Sequence, residues 1–153
     1  MVCHGNICRS PMAKAIMIKK LQELGRSDIE VDSAGVSAQH AGEPPDHRTI
    51  KNAATHGIDV TSYRARQFRE SDFDAFDRIY VMDSANYADI SLIADNPDRM
   101  NKVNLFLETA HPGSNASVPD PWYGDEAGFE KVYKILDKGC NAIAKQIMNH
   151  NKG

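Results

Sequence analysis

The sequence predicts an α/β protein: a four-stranded parallel sheet with helices on both faces and a shortened first strand. Three observations predict it. Helix and strand signals alternate along the chain, the pattern of parallel strands joined by helical crossovers. The run Arg78-Ile79-Tyr80-Val81-Met82 is continuously apolar after its first residue, as a strand buried on both faces should be. Finally, Cys3 to Ser10 reads C-H-G-N-I-C-R-S and leads into a helical pattern. Such a loop belongs beyond the carboxyl end of a strand, where open parallel sheets bind ligands.

The elements follow in order. Only Met1 and Val2 precede Cys3, so little of the first strand is present. Ser10 is a favourable N-cap and Pro11 suits a first helical turn. Met12, Ile16, Leu21 and Leu24 recur at helical spacing up to Gly25, a natural stop. Ile29-Glu30-Val31 alternates like a strand, and a helix from about Asp46 to His56 is closed by Gly57. Residues 78–82 form the next strand. A helix over about 85–94 follows, broken at Asn96-Pro97. Val103 to Phe106 is the last strand candidate. A turn-rich segment over 111–123 precedes a long helix from Asp125 to about Met148, carrying Phe129, Val132, Ile135, Leu136, Ile143 and Ile147.

The chain has 153 residues, read as one domain over 1–153, with no repeat, linker or low-complexity tract. Its net charge of −3 provides no general basic field, so no nucleic-acid or membrane partner is expected. No signal peptide opens it, and no apolar run approaches the ~20 residues that span a bilayer. The three cysteines, Cys3, Cys8 and Cys140, are too few and odd in number for a disulfide framework, which points to a reducing cytoplasm. The six histidines are scattered, so neither a metal nor a cofactor is expected.

The Cys3–Arg9 spacing lets a short loop wrap one tetrahedral anion. The sulfur lies beneath the phosphorus, the guanidinium grips two oxygens, and the intervening N–H groups point inward. The helix start adds its own attraction for anions and favours the thiolate of Cys3. Cys3 is therefore read as a nucleophile aimed at a phosphate monoester.

The stretch from Val2 to Pro11 resembles the active-site loop of the low-molecular-weight protein tyrosine phosphatases. The resemblance continues through Asp32-Ser33-Ala34-Gly35, Ala65-Arg66-Gln67, Val81-Met82-Asp83 and Asp120-Pro121-Trp122-Tyr123-Gly124. It implies a flavodoxin-like fold and hydrolysis of phosphotyrosine proteins or aryl phosphates through a phosphocysteine, with inorganic phosphate released. Cys3, Arg9 and Asp120 are the catalytic residues it implies. Asp120, between Pro119 and Pro121, would protonate the leaving phenol and then activate water. The amides of His4, Gly5, Asn6, Ile7, Cys8 and Arg9 would cradle the phosphate, Gly5 letting the backbone turn inward. By resemblance, Ser10 donates its hydroxyl to the Cys3 sulfur, Asn6 braces the loop through Ser33, and Trp122 and Tyr123 wall the slot for a phenyl ring. Such loop tyrosines can themselves be phosphorylated in the family.

Plainer roles stand beside these. Cys3 could be a small buried hydrophobe, though Gly5, Asn6 and Arg9 around it argue otherwise. Cys8 is either a packing thiol or a redox partner that protects the nucleophile, and Cys140 belongs to the core. Asp120 could initiate a turn, Asn6 could simply tolerate a left-handed backbone, and Trp122 and Tyr123 could be core aromatics. Asp72, Asp74 and Asp77 read as a solvated helix face. His4 reads as a contact residue at the slot mouth.

Three departures from the family pattern carry expectations. The family has several apolar residues ahead of the loop, so a chain starting at Met1 should have low thermal stability and a tendency to pair between copies. Tyr63 stands where a loop-supporting histidine is usual, and Gln39, beside His40, where an aromatic wall is usual. An arsenate reductase would need further cysteines between Cys8 and Cys140, and there are none. A protein-arginine phosphatase would carry threonine in place of Ile7. A non-catalytic phosphoprotein-binding module would need neither thiolate nor acid.

Overall fold

The computed structural model describes residues 1–150; the last three residues of the expected domain lie outside the described residues. Four parallel strands form one sheet: β1 (Val2–Cys3), β2 (Ala34–Gly35), β3 (Ile79–Val81) and β4 (Val103–Leu105), in the order β2-β1-β3-β4. Strand order reverses around β1, so the carboxyl end of β1 is a switch point where a ligand loop belongs. The helices are α1 (Arg9–Glu23), α2 (His47–Thr55), α3 (Asp72–Ala75), α4 (Ser84–Ala94), α5 (Pro97–Met100) and α6 (Glu126–His150).

Side-chain alternation along the strands divides the interior into two layers. Cys3, Tyr80 and Met82 face a core built with Met12, Ile16, Leu21, Val60, Phe106, Leu136 and Ile143 from α1, α6 and the connections. Val2, Ile79 and Val81 face the other core, with Phe68, Phe73, Ile90 and Val103. The helices therefore cover both faces, as expected. A Cβ on Gly139 would stand 2.2 Å from the buried Phe106 ring, so only glycine admits this approach of α6 to the end of β4.

The local expectations fare unevenly. Asp46 caps α2 by accepting from Arg48 N at 2.8 Å, and Gly25 and Gly57 hold φ of +73° just past their helices. α1 starts two residues earlier than expected, at Arg9. Cys8 occupies its N-cap position without a side-chain hydrogen bond, so Ser10 is inside the helix. Its hydroxyl is committed to the Cys3 sulfur and to Asn6 and is not a cap.

The second strand is Ala34–Gly35 and not Ile29–Val31. Register explains the shift. Val2 aligns with Ala34 and Cys3 with Gly35, so the residues that pair with β1 lie beyond Val31. The Met1 amine already serves as the last ladder donor, reaching Asp32 O at 3.0 Å. A cavity of about 470 Å³ opens there, lined by Met1, Ile29, Val31, Phe76 and Ile79 among others, and none of residues 3–10 lines it.

Asp72 is not on a solvated face. It is 4% exposed, pairs with Arg66 at 2.9 and 3.2 Å, and accepts from Arg69 N. α5 is a further element that the broken pattern at Asn96-Pro97 concealed; Asn96 caps it. Among the described residues, no helix is long and apolar enough to cross a membrane.

Candidate active site

β1 delivers Cys3 to the sheet's carboxyl edge, and residues 4–8 turn at once into α1. One residue organises this loop. Asn6 holds a left-handed φ of +59°, a conformation asparagine tolerates best among residues with a side chain beyond glycine. Its Oδ1 accepts the backbone N–H of Arg66 at 3.0 Å, which fixes the amide's orientation, because only the oxygen can accept. Nδ2 must then donate, and it reaches Ser10 Oγ at 2.7 Å and Ser33 Oγ at 2.9 Å. The Ser10 hydroxyl, its oxygen accepting from Asn6, is hydrogen-bonded to Cys3 Sγ at 3.0 Å. Asn6 N–H donates to the same sulfur at 3.3 Å.

Gly35 lets the end of β2 lie directly against this loop. A Cβ there would stand 2.9 Å from His4 O and 3.0 Å from Asn6 N, both backbone atoms that cannot turn aside. Val36 and Ser37 N–H bind Cys3 and His4 carbonyls at 2.9 Å, continuing the ladder into the loop.

Arg9 is 2% exposed, and Nη1 is fully engaged, donating to Asp83 Oδ2 at 2.7 Å and Val118 O at 2.9 Å. These contacts fix the guanidinium plane and leave the Nε and Nη2 donors for a bidentate grip on an oxyanion. Asp83 divides its labour, since Oδ1 caps α4 through Asn86 N at 2.8 Å.

Asp120 lies across the loop, Oδ2 3.7 Å from Arg9 Nη2. Its Oδ1 accepts from Trp122 N at 3.0 Å, so Oδ2 is the oxygen turned toward Arg9. The carboxylate is about half exposed, at 48%.

Cys3, Arg9, Ser10, Asn6, Ser33 and Asp120 thus meet in one place. Ile7 and Cys8 are buried behind the loop against Ala65 and Phe129, while His4 is exposed. Burial, reinforced by the charges of Asp46 and Cys3, pushes the Cys8 thiol up to about 12. Cys140 is fully buried between α6 and α1, its thiol facing Ala13 O at 3.6 Å. Trp122 is partly covered, packing at 5.9 Å against the His40 ring, but Tyr123 is 96% exposed. His40, beside Gln39 and hydrogen-bonded to Glu43, faces Gly5.

Tyr63 makes no hydrogen bond to the loop among the described residues; Lys14 lies 4.2 Å over its ring. The bracing passes instead to the Arg66 backbone, and Asp32 and Asp72 hold the Arg66 side chain. Asp83 was not singled out from sequence, although its place just beyond the carboxyl end of β3 is where such sheets collect ligand-binding residues. Among the described residues no group of three potential metal ligands occurs.

Comparison with known proteins agrees with this geometry. The sequence model for low molecular weight phosphotyrosine protein phosphatase matches residues 1–152. The low molecular weight phosphotyrosine protein phosphatase of Schizosaccharomyces pombe is 43% identical, over 93% of this chain and 92% of its own length. The human protein of the same description is 35% identical, over 95% and 92%. A crystal structure of a protein tyrosine phosphatase from Entamoeba histolytica superposes with a TM-score of 0.90 at 34% identity, covering 98% of this chain and 96% of that one. YfkJ from Bacillus subtilis also reaches 0.90, at 35% identity, covering 97% and 92%. The chain belongs to the low molecular weight phosphotyrosine protein phosphatase family.

Proposed function

We propose that this chain, acting as one domain in a reducing cytoplasm, hydrolyses phosphotyrosine monoesters in proteins by way of a phosphocysteine at Cys3. The Cys3 sulfur attacks phosphorus in line with the tyrosyl oxygen. The P–O bond breaks as Asp120 passes its proton to that oxygen, and the phenol leaves. Water then attacks the phosphocysteine, giving its proton to Asp120 while the P–S bond breaks. Inorganic phosphate and the Cys3 thiolate result. Arg9 and the loop amides hold the three non-bridging oxygens throughout, and they matter most where charge gathers in the transition state.

The observation that carries this reading is the hydrogen-bond chain from Arg66 N–H through Asn6 and Ser10 to Cys3 Sγ. A site that only bound phosphate would gain nothing from bracing a sulfur in this way. The test is hydrolysis of an aryl phosphate by the wild type and by Cys3→Ser. Turnover by the wild type alone is expected. Full turnover by Cys3→Ser would exclude the covalent route, and phosphate capture without turnover by the wild type would make this a binding module.

Cys8 is proposed to protect the nucleophile. After a peroxide oxidises Cys3 to the sulfenic acid, the Cys8 sulfur displaces water and closes a Cys3–Cys8 disulfide. Peroxide followed by a thiol reductant should restore activity in the wild type and not in Cys8→Ser; equal recovery would exclude the role.

A further inference from the structure

We infer that Arg48 is a positioning residue that fixes the Asp120 loop relative to the phosphate cradle; the inference rests on Asp120 being the general acid. Arg48 sits in the first turn of α2 and folds back over that helix end. Its Nε and Nη2 pair with the two oxygens of the Asp46 carboxylate, each at 3.0 Å. Asp46 is in turn bound to the cradle, its backbone N–H donating to Ile7 O at 2.9 Å. The remaining edge of the guanidinium faces the other loop. Nη1 donates to Trp122 O at 3.0 Å and to Gly124 O at 3.3 Å, on either side of Tyr123. The guanidinium carbon lies 5.4 Å from the Trp122 ring centre and 4.7 Å from that of Phe129.

Apart from the approach of Asp120 to Arg9 and of Trp122 to the His40 ring, residues 120–125 are held by bonds among themselves. Trp122 N–H binds Asp120 Oδ1, and Gly124 N–H binds Pro121 O at 2.8 Å. Among the described residues, the hydrogen bonds from this segment to other parts of the chain upstream of α6 are the two from Arg48. The path from Ile7 through Asp46 and Arg48 to Trp122 therefore sets where Asp120 stands over the cradle. Arginine suits the task because it spans a carboxylate and two carbonyls in one plane. Lysine offers a single ammonium that cannot keep that fork.

The effect should fall on proton donation and not on phosphate binding. Arg48→Gln and Arg48→Lys are compared with the wild type on phenyl phosphate, on activated nitrophenyl phosphate and in competitive inhibition by inorganic phosphate. Loss of position should remove about tenfold from kcat/KM on phenyl phosphate, a fraction of the ~10²–10⁴ a general acid contributes. On nitrophenyl phosphate, whose leaving group needs little protonation, kcat/KM, which does not include the later attack by water, should change by less than about twofold, as should the inhibition constant for phosphate. Trp122 is the chain's one tryptophan, so its emission reports the loop directly and should shift in both variants. In an Asp120→Asn background, Arg48→Gln should cost nothing further on phenyl phosphate.

Equal losses on both esters, or weakened phosphate inhibition, would make Arg48 a merely structural residue and overturn the inference. Unaltered emission with unaltered kcat/KM would overturn it too. Asp120→Asn alone separates the two layers of the claim. If that variant shows no dependence on the leaving group, the acid assignment falls and the clamp with it. If it does and the Arg48 variants do not, the clamp alone falls. Arg48→Lys keeps the test decisive should Arg48→Gln fold poorly.

Discussion

The two loops that meet over Arg9 are built in opposite ways. The cradle, residues 3–10, is buried apart from His4 and half-buried Gly5, braced at Asn6 from three sides and pressed against Gly35. The acid loop, residues 118–124, is anchored firmly only at its start, where Val118 binds Arg9 and Met82. Beyond that point it rises to exposed residues tied back through Arg48. The contrast matches the work proposed for each. A phosphate cradle helps most when its dipoles are already aimed and need not reorganise during reaction. An acid that must face first a phenol and then a water needs access from outside, and a half-exposed carboxylate has it.

Breaking the acid loop should produce the larger and more selective loss. Asp120→Ala should lose ~10²–10⁴-fold on phenyl phosphate and clearly less on nitrophenyl phosphate, measured as kcat/KM for each. Equal losses would contradict its role as the acid.

Disturbing the cradle should act without such selectivity. Gly35→Ala forces a methyl against the backbone of His4 and Asn6. The loop must move at a cost of about 1–3 kcal/mol, and phosphate inhibition and turnover of both esters should weaken together. Unchanged phosphate inhibition would show that the loop is softer than its packing implies.

The smallest effect lies at the link between the two. Burial pushes the Asp46 carboxyl up, but hydrogen bonds and charge from Arg48 outweigh it and hold the group below its ordinary 3.8. In the folded chain Asp46 therefore binds fewer protons than in the unfolded chain through that range. Its contribution is complete above the ordinary aspartate range and is lost as pH falls through the lowered folded value. The stability gap between wild type and Arg48→Gln in urea titrations should be widest at neutral pH and close on acidification. A gap that widens instead would reverse the assignment.

The same contrast explains what the sequence discloses. The cradle is legible because its parts are local: Cys3, Asn6, Arg9 and Ser10 lie within one turn, and their spacing encodes the geometry directly. The partners that hold the site are not local. Asp83 is 74 positions from Arg9, and Arg48 is 74 from Trp122. Neither periodicity nor turn chemistry pairs charges over such distances.

Asp72 shows the difficulty most clearly. Among Asp74 and Asp77 it reads as solvated, yet Arg66 draws it inside. The second strand moved for a comparable reason, since pairing register and not the alternation of Ile29 to Val31 decides which residues join the sheet. Burial patterns carried the strands β3 and β4 and the helices α1, α2, α4 and α6, whose apolar faces are long enough to be read without their neighbours.

The claim beneath all of this is that the Cys3 sulfur takes the phosphoryl group. Acid quenching during turnover of phenyl phosphate, followed by peptide mass analysis, tests it most directly. The account predicts a phosphoryl group on Cys3, absent from Cys3→Ser, that accumulates further when Asp120→Ala slows attack by water on an activated ester. Steady turnover with no phosphorylated Cys3 at any time would contradict it.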